Sequence, residues 1–443
     1  MNNINTERDK IINNKLYYIK DLEKDGIDTS LSSVCYTPSF AGTSGLLHLK
    51  NTSFKFSSRS FFLQIKSFIY LSRFNSFKVF GDFSKENINK YKKMVVSWAN
   101  EKDFFSNGEY FDKYFQTSSK NKKIIWFLIY IGNKRPKKIK KNIILLYHPI
   151  KNNFNLILLF KYLFKISRQK SFNIRKIYHE LSFESFLANF VKDFFKRNLY
   201  LKNFKKIIFA YESQPFQNSL INLIKEKNKK ITTIGYDHGS NPFPIHINYN
   251  LNSPDLLYVH SQAQKKFYTK YFKWPKKKVR SIPSFRTNKA KITEFKNKIF
   301  FPSFIYNENN IAHDFEKFLN YHPYMTIKPL KVRIHPAHKN SKKHLKLKDK
   351  IDFILKIHRK KFSNFSKKSL SVHIGSVSTV VQALEAGISV IHIVDDPVFE
   401  LFSSKYWPDI KVKKISNTIY VYSLRQFGKC LTFANKKIQL SSL

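Results

Sequence analysis

The sequence predicts an α/β protein of two domains, residues 1–284 and 285–443, each built on a parallel sheet with a cleft between them. Three observations carry this expectation. Short runs rich in Ile, Val, Phe and Tyr alternate with stretches of helical period, the pattern of repeated βα units. The alternation restarts near residue 285, and 443 residues exceed the usual size of one domain. Several of the apolar runs end on His, Glu, Asp or Gly, and open α/β sheets bind ligands at such strand ends.

Taken in order, residues 1–60 are polar, with clusters such as TSLSSVCYTPSFAGTSG, and read as a loop-rich entry segment able to carry ligand contacts. SFFLQIKSFIYLSRF has helical spacing, FKVFGDF (77–83) reads as a short strand and NINKYKKMVVSWAN as a helix. KIIWFLIYIG and KNIILLYHP are strands separated by the loop NKRPKKIKK. FNLILLFKYLFKISR and IYHELSFESFLANFVKDFFKRNLYLKNF read as long helices. KKIIFAYESQ is a strand ending on Glu212, and PFQNSLINLIKEKN a helix with proline in its favoured first position. KITTIGYDHGS is a strand ending in a glycine turn, and DLLYVHSQAQKKFYTKYFKWP a strand followed by a helix. KVRSIPSFR and KNKIFFPSFIYN open the second series, followed by the helix ENNIAHDFEKFLNYHP and a strand running to His335. KKSLSVHIG, SVSTVVQALEAG and ISVIHIVDD then read as strand, helix and strand, with Gly387 as the helix C-cap.

The chain carries 80 Lys and Arg against 30 Asp and Glu, a formal charge of +50. The basic residues are mostly lysines in a background rich in Asn, Ile, Phe and Tyr, so the charge reads as spread over the surface. No nucleic-acid-binding motif accompanies it, and no specific nucleic acid is expected as a partner. Attraction to an anionic membrane surface fits the same charge. Cys35 and Cys430 have neither metal-ligand nor redox spacing, which fits a reducing cytosol. The start MNNINTERDK lacks the apolar stretch of a signal peptide, and the longest apolar runs, 124–132 and 156–164, are too short to span a bilayer. The expected location is cytoplasmic, or peripheral on the inner face of the membrane.

Candidate chemistry gathers at four strand ends. Glu212 precedes a helix, and Asp237 with His238 ends the next strand. Adjacent parallel strands would bring these tips together, where a carboxylate can deprotonate an acceptor hydroxyl. In the second series VRIHPAHKN stops a strand at Pro336 and leaves His335, with Arg333 behind it, on the strand lip. YHP also occurs at 147–149 and 321–323 in ordinary turns, so the His-Pro pair alone is a weak signal. Gly375 ends the next strand, and Ser376, Ser378 and Thr379 lead into a helix that carries Glu385. Hydroxyls at a helix start suit a phosphate, and equally serve as plain N-caps. No Gly-rich nucleotide loop and no metal cluster is present in the sequence; VDDP at 394–397 is the nearest acidic pair and reads as a turn.

NGEYFDKYF, IIWFLIYIG, YESQPFQNSL, GYDHGSNP, SPDLLYVHS and WPKKKVRSIPSFR, in this order over roughly 77–400, are similar to a family of surface-carbohydrate biosynthesis glycosyltransferases. The acidic strand tip before Gly, the His-Pro and the later Ser/Thr cluster resemble the GT-B bacterial sialyltransferases and Kdo transferases. The resemblance implies two Rossmann-like domains facing a central cleft, acceptor in the first and nucleotide-sugar in the second. It implies that His335 and Ser376–Thr379 hold the phosphate of a CMP-sugar, that a first-domain acid is the base, and that no cofactor is needed. The implied activity is metal-independent, inverting transfer of a nonulosonic acid or Kdo to a glycan or lipid-linked glycan acceptor in surface polysaccharide or lipopolysaccharide synthesis. Two departures matter: His238 stands where the sialyltransferase group has a second acid, and the closer family is expected to carry Gln at 237 and an acid at 217. The base therefore stays open between Glu212 and Asp237, with a lean to Asp237. The alternatives are a GT-B transferase or epimerase using a UDP- or GDP-sugar, and a non-catalytic basic protein that binds nucleic acid or another polyanion.

Overall fold

The computed structural model describes residues 9–10, 13, 16–17, 19–24, 26–31, 77–132, 134–147, 160, 164, 183–198, 201–239, 247–285, 291–302, 305, 307–321, 330–335, 338–361, 371–375, 377, 379–402, 406–426, 431, 438 and 440. The helix expected over 60–74, most of the one expected over 154–168, and Pro336, Ser376 and Ser378 lie outside the described residues.

The first series runs β1 (Lys78–Phe80), α1 (Lys85–Ile88), β2 (Lys93–Ala99), β3 (Phe111–Asp112), β4 (Thr117–Ser118), β5 (Ile124–Tyr130), β6 (Ile143–Tyr147), α2 (Phe183–Asn198), β7 (Lys206–Ala210), α3 (Pro215–Lys227), β8 (Thr232–Tyr236), β9 (Leu256–Val259), α4 (Gln262–Tyr271) and β10 (Val279–Ser281). It forms an eight-stranded sheet in the order β1-β6-β5-β2-β7-β8-β9-β10, parallel except for β1 at its edge. The chain winds outward from β2 through β5 to β6, then returns to lay β7 on the other side of β2. The strand order therefore reverses at β2, which opens a crevice at the carboxyl ends of β2 and β7.

All seven residues of β5 are buried. Ile125, Phe127 and Ile129 face a core shared with Leu187, Val191 and Phe195 of α2 and Leu220 and Ile224 of α3. Trp126, Leu128 and Tyr130 face the opposite core, with Tyr110, Phe115 and Phe285. A strand covered on both faces must be apolar throughout, which is why it reads as an unbroken run.

The same physics corrects the helix expected over NINKYKKMVVSWAN. Only Lys85–Ile88 is helical, and Lys93–Ala99 forms the central strand β2. Met94 and Val96 enter one core, Val95 and Ala99 the other. With apolar residues on both sides, no period separates strand from helix.

The second series is α5 (Ile292–Phe295), β11 (Lys298–Phe300), α6 (Glu308–Tyr321), β12 (Lys331–Arg333), α7 (Lys342–Lys361), β13 (Ser371–Ile374), α8 (Thr379–Glu385), β14 (Val390–Ile393), β15 (Ile410–Lys414) and β16 (Ile419–Leu424). Its six-stranded sheet has the order β12-β11-β13-β14-β16-β15. β12, β11, β13 and β14 are parallel, and the β15–β16 hairpin closes one side in antiparallel fashion. The order reverses at β11. The sequence reading did not foresee α7 or the hairpin. Gly387 caps α8 as expected, with φ +82° and its N–H donating to the Leu384 carbonyl at 3.0 Å. The two sheets share one core, in which Phe267 of α4 stacks on Trp407 at 5.5 Å. No helix of the described residues is long and apolar enough to cross a membrane.

Candidate functional site

The pairing of β7 with β8 sets Ala210 opposite Tyr236. Two residues further along each strand, Glu212 stands opposite His238, and the Nε2 of His238 lies 3.2 Å from Oε1 of Glu212. The two side chains are 16% and 8% exposed. The contact has ion-pair distance but not the alignment of a hydrogen bond, and Nδ1 of His238 is buried without a partner among the described residues. An unsatisfied buried polar atom costs about 1–3 kcal/mol, and a ligand hydroxyl that reached it would recover that cost.

Strand alternation places Asp237 elsewhere. Tyr236 enters the core of Trp126 and Tyr110, so residue 237 faces the opposite side, toward α4, and residue 238 returns to the first. Asp237 is buried and accepts from the Tyr268 hydroxyl at 2.5 Å, the Gln264 amide at 3.0 Å and the Gly239 N–H at 3.1 Å. Burial raises its pKa to about 6, opposed by the bond from Tyr268. Its oxygens are engaged on the helix side of the sheet, whereas Glu212 and His238 lie together on the other. Glu212, and not Asp237, is the carboxylate that stands beside the His238 ring.

The turn that carries Glu212 is held from several directions. Gln217, in the first turn of α3, accepts from the N–H groups of Glu212 (3.0 Å) and Gln214 (3.2 Å) and donates to the Ala210 carbonyl at 2.7 Å. The Gln214 amide donates to Oε2 of Glu212 at 2.7 Å. Ser213 has φ +55°, a conformation that side chains resist and that surrounding contacts must enforce. Asn218 supplies some of them, donating to the Ser213 carbonyl at 3.2 Å and to the Ser30 carbonyl at 2.8 Å. Residue 30 is thereby tied to the back of the site.

The sequence reading missed two further residues. Tyr114 stacks on the His238 ring, with centroids 4.1 Å apart and planes at 29°. Asp112, fully buried, fixes the turn beneath it by accepting from the N–H groups of Tyr114 (2.7 Å) and Phe115 (2.8 Å) and from the Tyr110 hydroxyl (2.7 Å). The signal was present in DKYF: an Asp accepting from backbone two and three residues on makes an Asx turn. Its burial was not visible, and burial raises its pKa despite these donors.

In the second sheet the expected residues divide. His335 is exposed just past β12, its ring 5.9 Å from His338, which stacks on His344 at 5.1 Å. Partial desolvation, then the two neighbouring imidazoles, hold the His335 pKa below the usual value. Arg333 is exposed on the edge strand, its guanidinium 5.8 Å from the Phe300 ring centre. Gly375 ends β13 with φ +61°, and its carbonyl is 2.5 Å from Nε2 of the buried His392. The tips of β12 and β13 flank β11, so His335 and Gly375 lie on either side of the strand where the order reverses. Two expected groups have other engagements. The Thr379 hydroxyl lies 3.0 Å from Nδ1 of buried His373, and the Glu385 carboxylate accepts from the N–H of Leu431. Among the described residues no group of three or more His, Cys, Asp or Glu is arranged to hold a metal ion.

Compared with known proteins, the chain matches no family model and no curated protein.

Proposed function

We propose that the protein is a glycosyltransferase that moves an acidic sugar, of the nonulosonic acid or Kdo type, from a CMP-sugar to a hydroxyl of a surface-glycan acceptor. The observation that carries the reading is the Glu212–His238 pair at the strand ends of a doubly wound sheet, with Nδ1 of the buried imidazole unpartnered among the described residues. The motifs in the sequence supply the reaction class. The second sheet, with His335 and Gly375 at its own point of reversal, supports a place for the donor in a GT-B arrangement.

In this mechanism the acceptor O–H donates to Nδ1 of His238 while the Nε2 proton points toward Glu212. As the acceptor oxygen bonds to the anomeric carbon, its proton passes to Nδ1 and the anomeric C–O bond to the phosphate breaks. That electron pair leaves with CMP, and the anomeric centre inverts. Glu212 stabilises the imidazolium formed, Tyr114 holds the ring plane, and His335, just past the end of β12, is assigned to the phosphate by the sequence resemblance. Such a positioned base contributes roughly 10²–10⁴-fold to rate.

The test has two arms. Thermal stabilisation is measured with CMP, UDP, GDP and a short RNA, because a ligand raises stability by mass action. CMP should give the largest shift. CMP release from a CMP-sugar is then followed in Glu212→Gln and His238→Asn, with an expected loss of about 10²–10⁴-fold and unchanged CMP binding. A larger shift with UDP, GDP or RNA would overturn the donor assignment, and wild-type turnover in both variants would overturn the base.

A further inference from the structure

We propose that the outer face of α7 docks on the surface of an anionic lipid bilayer. It rests on this helix and on the charge of the chain, independently of the catalytic reading. His344, Leu347, Ile351, Ile354, Leu355 and His358 are buried, a stripe of helical spacing that packs α7 against the domain. A helix with one stripe buried normally turns a polar face to water. Here Leu345, Phe353 and Ile357 are 41%, 65% and 38% exposed on that outer side. At 3.6 residues per turn they fall within about a third of the circumference. Exposed Lys342, Lys346 and Lys356 lie in the same third, with Asp349 as the acid among them. Lys346 remains 60% exposed while 3.5 Å from Glu308 of α6.

Large apolar side chains interleaved with lysines are what an interfacial helix presents to lipid: the lysines meet headgroup phosphates and the apolar groups enter the acyl boundary. Charge selects among occupants. A chain of formal charge +50 repels a second copy of itself and attracts an anionic surface. A single-stranded nucleic acid would be met by a row of aromatic rings, whereas two of these three groups are aliphatic. The placement also has a consequence for the site. Nε2 of His344, in the first turn of α7, lies 2.9 Å from the Pro302 carbonyl just beyond β11. The start of α7 therefore sits at the strand-tip edge of the second sheet, and docking along α7 keeps that edge near the lipid surface.

The full chain is sedimented with vesicles of phosphatidylcholine alone and of phosphatidylcholine with equimolar phosphatidylglycerol. Binding is expected only to the mixed vesicles. The double variant Lys342→Gln, Lys356→Gln should weaken it by about fivefold per lysine. The double variant Phe353→Ser, Ile357→Ser keeps every charge and should weaken it by about tenfold or more. The Phe353→Trp variant, read as a difference from wild type, should show a blue shift in emission with mixed vesicles. Each substituted side chain is exposed, and unchanged thermal unfolding checks that the fold is kept. Wild-type sedimentation of the serine variant, or emission unmoved by vesicles, would overturn the proposal in favour of diffuse charge. Loss of affinity in the same variants for a single-stranded oligonucleotide but not for vesicles would overturn it in favour of nucleic acid.

Discussion

Replacing Asp237 by Asn should remove a loss of stability that wild type suffers as pH rises from acid to neutral. Asp237 is buried, and its pKa is raised to about 6 from an unfolded value near 3.9. A raised carboxyl pKa means that the native state holds the proton more tightly than the unfolded chain does. The stabilisation is therefore complete below pH ~3.9 and is lost as pH rises through ~6. A shift of about two units corresponds to roughly 3 kcal/mol over the whole titration, of which about 2 kcal/mol falls between pH 4.5 and 7.5. The difference in unfolding free energy between wild type and Asp237→Asn, measured in urea at each pH, cancels the titrations that do not interact with Asp237. Asn alters the bonds from Tyr268 and Gln264 and shifts the difference by a constant offset. The slope is the readout: wild type should lose about 2 kcal/mol relative to the variant as pH rises from 4.5 to 7.5. A difference that stays flat over this range would show that Asp237 titrates like a solvated carboxylate, and the argument that separates it from the Glu212–His238 pair would fail.

His392 should give the opposite slope. Burial lowers its pKa to about 4, so its contribution is present above pH ~6.5 and lost as pH falls through ~4, roughly 3 kcal/mol in all. His392→Gln should flatten the acid limb of the urea-stability profile, and an unchanged limb would contradict the buried neutral imidazole. Gly235→Ala places a Cβ 2.9 Å from both Cγ of Tyr211 and Cγ of Pro254. Because Tyr211 leads directly into Glu212, the variant should lose about 1–3 kcal/mol in urea unfolding, and wild-type stability would show that the sheet can relax there.

Much of the strand and helix order was legible because parallel strands carry long apolar runs and α3 begins on a proline. The strand ends at Glu212, Asp237–His238, His335 and Gly375 were legible for a related reason: polar residues and Gly that follow an apolar run mark where the ladder stops. Central strand β2 was misread because burial on both faces erases the period-two signal. Helix α7 was passed over because lysines dominate its sequence, and its buried stripe emerges only against α6 and the sheet. Within the site, sequence alone determined that acids and a histidine end two successive strands. Which of them meet was a matter of register and side. The alignment of β7 with β8 brought Glu212 to His238, and the alternation of faces turned Asp237 toward Tyr268. Tyr114 joined His238 from more than a hundred residues away in the chain, held by a buried Asp112. A sequence records spacing along one dimension, whereas register, face and burial arise only when strands pair and cores close, so the tertiary structure alone decided which carboxylate stands beside the imidazole.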